Sequence, residues 1–224
     1  MELLSNIVIE VNEKIYLRNP ESSELGKRII AGSIDLIDEI GFEAFTFKKL
    51  GFAINSPEAS IYRYFESKHK LLLYLIARYW NWMEYKLVFK LANIESPVDR
   101  LEKALSLLTE KASMPDEVKL YRIVISEASK VFLTREVDIE NQAGVFAGYK
   151  RLVGRVSDIV SEINPDYKYP HMLISTVVEG ARHERFFALH LPRLTDQVKG
   201  EDSISEFFRE IVFNTIMPER RKQK

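Results

Sequence analysis

Residues 41–72, GFEAFTFKKLGFAINSPEASIYRYFESKHKLL, decide the fold of this 224-residue chain. Thr46 can cap a short helix, and Asn55 tolerates the left-handed backbone that a tight turn between helices often needs. The sequence SPE at 56–58 predicts a further helix start, because it offers a hydroxyl cap, a proline at the first position and a carboxylate near the positive end of the helix dipole. Two short helices joined by such a turn predict a helix-turn-helix.

Helices are also predicted on both sides of this stretch. A preceding helix over 24–40 has isoleucines at helical spacing, with Ser22 or Ser23 as its cap and Gly41 as its stop. Ser67 caps a much longer helix of about 25 residues. Five more helices complete a set of nine, bounded mainly by prolines, at about 97–112, 115–132, 136–163, 170–191 and 203–217, the last capped by Ser203.

This pattern predicts an all-α protein. A three-helix helix-turn-helix domain (23–70) is joined through the long helix to a larger helical domain (71–218), and a basic tail (219–224) follows. The first 22 residues are the ambiguous part, since residues 7–18 alternate partly like a strand but have no second strand to pair with. We expect an extended or loosely helical arm there.

The composition sets limits on function. Apolar residues make up 46% of the chain, enough for a sizeable core, and 32 basic against 33 acidic residues give no overall basic signature. Residues 44–70 nevertheless hold five basic and two acidic side chains, a local charge of +3. The absence of cysteine excludes disulfides, thiol nucleophiles and thiolate zinc sites. No targeting segment and no long apolar run are evident, so we expect a soluble, cytoplasmic protein without a membrane span.

The third helix carries side chains that suit DNA. Ile61 and Phe65 can face inward, which leaves the polar side chains Ser60, Tyr62, Arg63 and Tyr64 outward. Hydroxyl groups donate to phosphate oxygens, and an arginine can pair with phosphate or with guanine. Lys48 and Lys68 lie near helix starts, where free N–H groups favour anions.

The segment resembles the DNA-binding domain of the TetR family of bacterial transcriptional regulators over about residues 24–75. The shared pattern is Gly41-Phe42 and Thr46, followed by IYRYFESKHKLL at 61–72, in which YxYFxSK is the most specific part. Two positions depart from the family pattern. Asn55 replaces a turn glycine, and Gly51 replaces a small alanine, which we expect to weaken the second helix by about 1 kcal/mol.

The resemblance implies a set of DNA contacts. Backbone contacts are expected from Thr46, Lys48, Tyr62, Tyr64 and Lys68, and base contacts from Ser60, Arg63 and Glu58. It also implies a regulator, most often a repressor, that binds a palindromic operator as a homodimer and is released by a small apolar or amphipathic ligand.

The larger domain has weaker signals. By analogy with the family, its ligand pocket would involve Tyr79, Met83, Tyr121, Phe132 and Phe146, although aromatic residues in such numbers also suit an ordinary core. Its last two helices would form the dimer interface, through a face with small residues in its middle. The residues of that predicted interface are Leu173, Val177, Gly180, Ala181, Phe187, Ile204, Phe207, Phe208 and Ile211.

Alternative functions rest on few residues. Glu179, His183 and His190 share roughly one face of a helix, which raises metal binding or acid–base catalysis as hypotheses. A polar face explains this stripe better, and no nucleophile, phosphate loop or cofactor motif accompanies it. We therefore expect neither an enzyme nor a metal or cofactor site. A helical adaptor that binds a protein partner is the remaining alternative.

Overall fold

The computed structural model describes residues 9–111 and 115–217, and over these residues the protein is all-α, as predicted. Eleven α-helices and short 3-10 turns make up this part of the chain, without a strand. The helices are α1 (Glu24–Ala44), α2 (Phe47–Ala53), α3 (Glu58–Ile61), α4 (Lys68–Leu91), α5 (Pro97–Thr109), α6 (Pro115–Glu127), α7 (Ser129–Phe132), α8 (Val137–Gln142), α9 (Ala147–Ile163), α10 (Pro170–His190) and α11 (Ser203–Ile216). None of these helices is long and apolar enough to cross a membrane.

The chain packs into two compact units. The first comprises Met1–Met83 and Ala112–Tyr149, and the second comprises Glu84–Lys111 and Lys150–Lys224. The division falls inside α4 and near the start of α9. The first unit therefore holds α6 to α8 in addition to the three predicted helix-turn-helix elements. The functional boundary near residue 70 stays a prediction.

Hydroxyl caps set several helix starts as the sequence predicts. Ser23, Thr46, Ser67 and Ser96 each accept a hydrogen bond from the backbone N–H three residues further along the chain. Such a bond satisfies one of the orphan donors of the first helical turn. The start of α11 differs, because its cap is Asp202 rather than Ser203, with the carboxylate accepting from the N–H of Ser205.

Helix ends were predicted less well than helix starts. The predicted helix over 136–163 is divided into α8 and α9 at Gly144, whose φ of +82° is not helical. Gly41, with a φ of +76°, likewise kinks α1 at the stop predicted for it, and the last residues of α1 follow that kink. The predicted helix over 115–132 is likewise divided into α6 and α7, and no glycine or proline marks that break. The helix predicted to run to Phe65 ends at Ile61 and continues as turns.

Two ion pairs join α1 to α6 within the first unit. The guanidinium of Arg122 donates to both carboxylate oxygens of Asp38, at 2.7 and 2.5 Å. Lys119 Nζ lies 2.6 Å from Asp35 Oδ1. The buried face of α1 supplies apolar side chains to the same unit, namely Ile29, Ile30, Ile34 and Ile37.

Residues 9–22 of the amino-terminal arm pack within the first unit. The arm forms two 3-10 turns, Glu13–Ile15 and Pro20–Ser22, rather than a strand, which agrees with a loosely helical arm. Ile15 and Pro20 are buried. Residues 1–8 and the basic tail predicted at 219–224 lie outside the described residues.

The core of the second unit brings α5, α10 and α11 together. Arg185 of α10 is buried and donates to the carbonyl oxygen of Thr109, which ends α5. The same guanidinium pairs with Asp202 at 2.6 Å, at the start of α11. One buried arginine thus satisfies groups at the ends of two other helices.

Candidate nucleic-acid interface

The turn between α2 and α3 depends on two residues. Asn55 adopts a φ of +51°, in the left-handed region predicted for it. Gly51 lies so close to the start of α3 that an added Cβ would be 2.6 Å from the carbonyl oxygen of Ser56. Its own carbonyl accepts from the N–H of Ser56 at 2.8 Å. Gly51 therefore makes the tight turn possible, whereas the sequence alone suggested only a weakened helix.

The side chains of α3 and the following turn divide into an inward and an outward set. Ile61 and Phe65 are fully buried, as predicted. Tyr62 is 48% exposed, and its ring packs edge-on against Phe47 of α2 with 4.9 Å between ring centroids. Arg63 is exposed beside it. The apolar contact holds the tyrosine ring in place while its other side remains open to a partner.

Other residues assigned to DNA also lie at this surface. Thr46 and Lys48 are exposed, whereas Glu58 and Ser60 are half-buried at the start of α3. We call the following six residues the reading surface: Thr46, Lys48, Glu58, Ser60, Tyr62 and Arg63.

Tyr64 is placed differently from the expectation. Only 2% of its surface is exposed, and its hydroxyl lies 2.7 Å from the Oγ of Ser23 at the start of α1. Its backbone carbonyl accepts from the N–H of Leu17 in the arm at 2.8 Å. Tyr64 thus joins the recognition segment, by which we mean α3 and the following turn (58–65), to α1 and to the arm. A phosphate contact by its side chain stays a prediction, and the burial of that side chain does not support it.

Lys68 also has partners within the protein. Its Nζ lies 3.0 Å from the carbonyl oxygen of Phe42 and 3.3 Å from those of Glu43 and Phe45. It also lies 4.7 Å from the centre of the Phe42 ring. A lysine in this position satisfies carbonyl groups that the end of α1 leaves free. To contact a phosphate, the Lys68 ammonium group would have to give up its hydrogen bond to one of these carbonyl oxygens.

The basic side chains of the first unit differ in whether they form ion pairs. Lys48 and Arg63 of the reading surface have no carboxylate partner among the residues that the structure describes. Lys130, away from this surface, lies 2.6 Å from Glu43 and 2.7 Å from Glu127. The hydrogen bond from Lys130 lowers the pKa of the Glu43 carboxyl. The positive charge of the reading surface is thus left available to an anion.

A connected set of aromatic rings occupies the first unit. Tyr79 contacts Trp80 and Tyr121, with ring centroids 5.0 and 6.3 Å away. Trp80 stacks on Tyr149 at 4.1 Å, and Phe132 contacts both Tyr149 and Phe146. Four of the five predicted pocket residues belong to this set. The fifth, Met83, is buried in the same unit.

A small apolar crevice adjoins these rings. Its empty volume is about 210 Å³, including open solvent, and its walls leave no enclosed space for a water molecule. Of the predicted pocket residues, only Phe146 lines it; the others on its walls are Leu73, Ile76, Ala77, Trp80, Val145, Gly148 and Tyr149. The five predicted pocket residues did not include Trp80 or Tyr149, whose rings stack on each other. Their stacking joins residues 69 positions apart in the sequence, a contact that helical periodicity does not predict.

The residues predicted for a dimer interface divide into two groups in the second unit. Val177, Ala181, Ile204 and Phe208 are buried within the chain's own core, and Leu173 and Phe187 are half-buried. Gly180 also serves this core, since an added Cβ would lie 2.7 Å from the ring of Phe208. Phe207 and Ile211 remain exposed. Gly180 and Phe208, both predicted for the dimer interface, therefore pack against each other within this chain, and an interface on these helices stays a prediction.

The acidic and histidine side chains of α10 do not gather into a metal site. His183 Nδ1 lies 2.8 Å from the carbonyl oxygen of Glu179, and the Glu179 carboxylate pairs with Arg182. Over residues 9–111 and 115–217, no three histidine or acidic side chains lie close enough together to hold a metal ion. These contacts fit the polar-face interpretation of the stripe.

The all-α fold of the described residues and its helix-turn-helix are the architecture found in DNA-binding regulators of transcription. Residues 29–75 match the sequence model described as bacterial regulatory proteins, tetR family. This match confirms the resemblance to the TetR family seen in the sequence, over the segment that holds the helix-turn-helix. No curated protein sequence matches the chain.

Solved structures with the same fold include regulators from this class. AibR, in complex with isovaleryl coenzyme A and operator DNA, is 17% identical with a TM-score of 0.56, and the match covers 85% of this chain and 97% of AibR. The ketosteroid transcriptional regulator KstR2 of Mycobacterium tuberculosis is 12% identical with a TM-score of 0.55, covering 94% and 97%. The superantigen PfiT is 16% identical with a TM-score of 0.61, covering 88% and 98%. At these identities the likeness shows the fold alone.

Proposed function

We propose that the protein is a transcriptional repressor that binds a palindromic duplex operator as a homodimer and is released by a small ligand. The reading surface carries this proposal. It presents Tyr62 and Arg63 from a segment whose Ile61 and Phe65 are locked in the core, within a TetR-family domain. Phosphate oxygens can accept from the Tyr62 hydroxyl, and Arg63 can pair with a phosphate or with the edge of a guanine.

Exposed apolar side chains support the homodimer. Met172 and Leu189 of α10 and Phe207 and Ile211 of α11 are exposed, although each helix already buries another face in its own subunit. Exposed apolar side chains of this size favour coverage by another protein surface. A two-fold related copy would place two reading surfaces on two half-sites, which is how dimeric helix-turn-helix proteins read palindromes.

The aromatic set supports a small apolar or amphipathic ligand. Stacked rings such as Trp80 and Tyr149 offer flat apolar faces, and one solved structure of this fold, AibR, is a complex with isovaleryl coenzyme A. The crevice has no enclosed space, so a ligand must part these rings to enter. Such a ligand would favour repressor release only if it binds the DNA-incompetent conformation more tightly. The continuous helix α4, Lys68–Leu91, starts directly after the recognition segment and carries Trp80.

The experiment is DNA binding by the full-length protein. Duplex DNA from the region upstream of its own gene is titrated with wild type and with Arg63→Ala at several salt concentrations. We expect wild-type affinity to fall steeply with salt, and Arg63→Ala to weaken binding by about 1–3 kcal/mol if Arg63 reads a base.

Arg135→Ala is the matched control, because Arg135 is exposed between α7 and α8 and outside the reading surface. It removes the same charge and should leave affinity unchanged. Wild type without salt-dependent binding to this DNA would refute the proposed function. Equal losses for the two variants would show that only net charge matters and would refute the assigned surface.

A further inference from the structure

The arm is held at both ends of the segment 16–19. On one side, Ile15 is buried and Asn12 Nδ2 donates to the carbonyl oxygen of Ala143 at 2.8 Å. On the other side, Pro20 is buried against α1, where Gly26 has no side chain: a Cβ there would be 2.1 Å from the carbonyl oxygen of Pro20. A segment fixed at both ends is ordered before any partner binds.

The same segment lies against the recognition segment. The N–H of Leu17 donates to the carbonyl oxygen of Tyr64 at 2.8 Å. Arg18 follows directly, and its guanidinium carbon lies 5.4 Å from the centre of the Tyr64 ring. Tyr64 directly follows Arg63 in the chain, so Arg18 lies against the residue that comes next after the reading surface.

Arg18 forms no ion pair with any residue that the structure describes. Its side chain is exposed, and the described residues include no carboxylate in ion-pair contact with it. Neighbouring acidic residues are committed elsewhere, since Glu21 lies 3.4 Å from Arg78 and Glu24 lies 3.2 Å from Lys27. Contact with the Tyr64 ring orients the guanidinium but leaves its N–H donors open. Lys48 and Arg63 of the reading surface share this unpaired state.

From this placement we propose that the arm extends the DNA-binding surface beyond the helix-turn-helix, with Arg18 contacting a backbone phosphate. The proposal rests on the proposed DNA binding and assigns a partner to an arm that the sequence left unexplained. A phosphate contact by Arg18 positions the protein on the duplex and carries no sequence information.

The test compares the salt dependence of DNA affinity for wild type, Arg18→Gln and Arg18→Lys. Each phosphate contact contributes about 0.9 to the slope of log affinity against log salt on B-form DNA. In a homodimer, Arg18→Gln should therefore reduce the magnitude of the slope by roughly 1.8, both on the upstream duplex and on a mixed-sequence duplex of equal length. Arg18→Lys keeps the charge and should keep most of the slope.

Lys14→Gln is the matched control. Lys14 is exposed on the same arm but lies near the end that Asn12 ties to Ala143. It should leave the slope unchanged, and the thermal unfolding midpoints of all variants should agree with that of wild type.

Three outcomes overturn the proposal. Arg18→Gln with the wild-type slope shows that Arg18 makes no phosphate contact, while the proposed regulator function stands. A loss of affinity at unchanged slope shows that Arg18 only holds Tyr64 in place. Failure of wild type itself to bind DNA refutes the proposed function and this inference together.

Discussion

The reading surface of the first unit and the exposed faces of α10 and α11 in the second unit leave opposite chemistry in contact with water. The reading surface presents hydroxyl groups and cations, including Lys48 and Arg63, above a buried apolar scaffold. The later helices expose apolar side chains such as Leu189 and Phe207. Unpaired cations suit a polyanion, and apolar side chains suit another protein surface. The contrast distinguishes two kinds of surface that a net charge of −1 for the whole chain conceals.

The largest effect is expected from placing charged side chains on the exposed apolar face of α11. Phe207→Asp with Ile211→Asp should cost roughly 2–4 kcal/mol of dimer stability, because it would bury two carboxylates in a protein interface. Sedimentation of the full-length protein at several concentrations would show a shift to monomer. DNA affinity should fall with it, because a monomer engages one half-site.

Gln142→Asp serves as the control for this pair, since Gln142 is exposed and polar in α8. It adds negative charge without touching an apolar face. A double variant that remains dimeric at the wild-type concentration dependence would place the dimer interface elsewhere.

A second prediction concerns whether Gly180 is needed for packing within its own chain or against a second copy. Gly180→Val should lower the free energy of unfolding by about 1–3 kcal/mol, because its Cβ would overlap the Phe208 ring of the same chain. Gly154→Val is the matched substitution, since a Cβ at Gly154 in α9 meets nothing within 4 Å. It should be close to neutral. Denaturant unfolding measures both, and a Gly180→Val variant with normal stability but weaker dimerisation would return Gly180 to the interface.

The smallest expected effect is the pH dependence of the stability that the ion pair between Arg185 and Asp202 contributes. Burial alone would raise the pKa of Asp202, but the hydrogen bond and the charge of Arg185 outweigh it, so the pKa is lowered. A carboxyl with a lowered pKa in the folded state stabilises the protein above its unfolded pKa of roughly 3.9 and loses that contribution as the pH falls through its folded pKa. Because Asp202 is partly exposed, we expect about 1 kcal/mol or less.

Thermal unfolding of wild type and Asp202→Asn between pH 7 and pH 3 would measure this effect. Asparagine preserves a good helix cap, so the comparison isolates the charge. The difference between the two proteins should be largest near neutral pH and should shrink below about pH 4. A difference independent of pH would mean that the pair contributes through its hydrogen-bond geometry alone.

Local signals predicted most of the helix starts. Ser23, Thr46 and Ser96 cap as expected, because a cap needs only the hydroxyl and the N–H groups of the next turn. The inward positions of Ile61 and Phe65 followed from helical periodicity. The helix-turn-helix was thus available from a stretch of about thirty residues.

Long-range contacts were not available in the same way. Tyr64 was expected at the DNA surface, but its hydroxyl meets Ser23, forty-one residues earlier. Lys68 was expected on a phosphate, but it caps carbonyl groups at the end of α1. In both cases the side chain could donate a hydrogen bond to a phosphate. In the folded chain it is instead hydrogen-bonded to a backbone carbonyl or a hydroxyl group that folding brings near.

The sequence by itself determined the all-α fold, the helix-turn-helix and its family, because caps, turn residues and helical spacing act over a few residues. Only the tertiary structure decided which of the polar side chains are left open, and which small residues admit a close neighbour. Gly51 was expected only to weaken a helix and Gly180 to face a second copy, yet each of them, like Gly26, admits a neighbour within the chain that a Cβ would displace. Arg18 gains its place beside the recognition segment in the same way, through an arm whose hydrogen bonds join residues far apart in the chain.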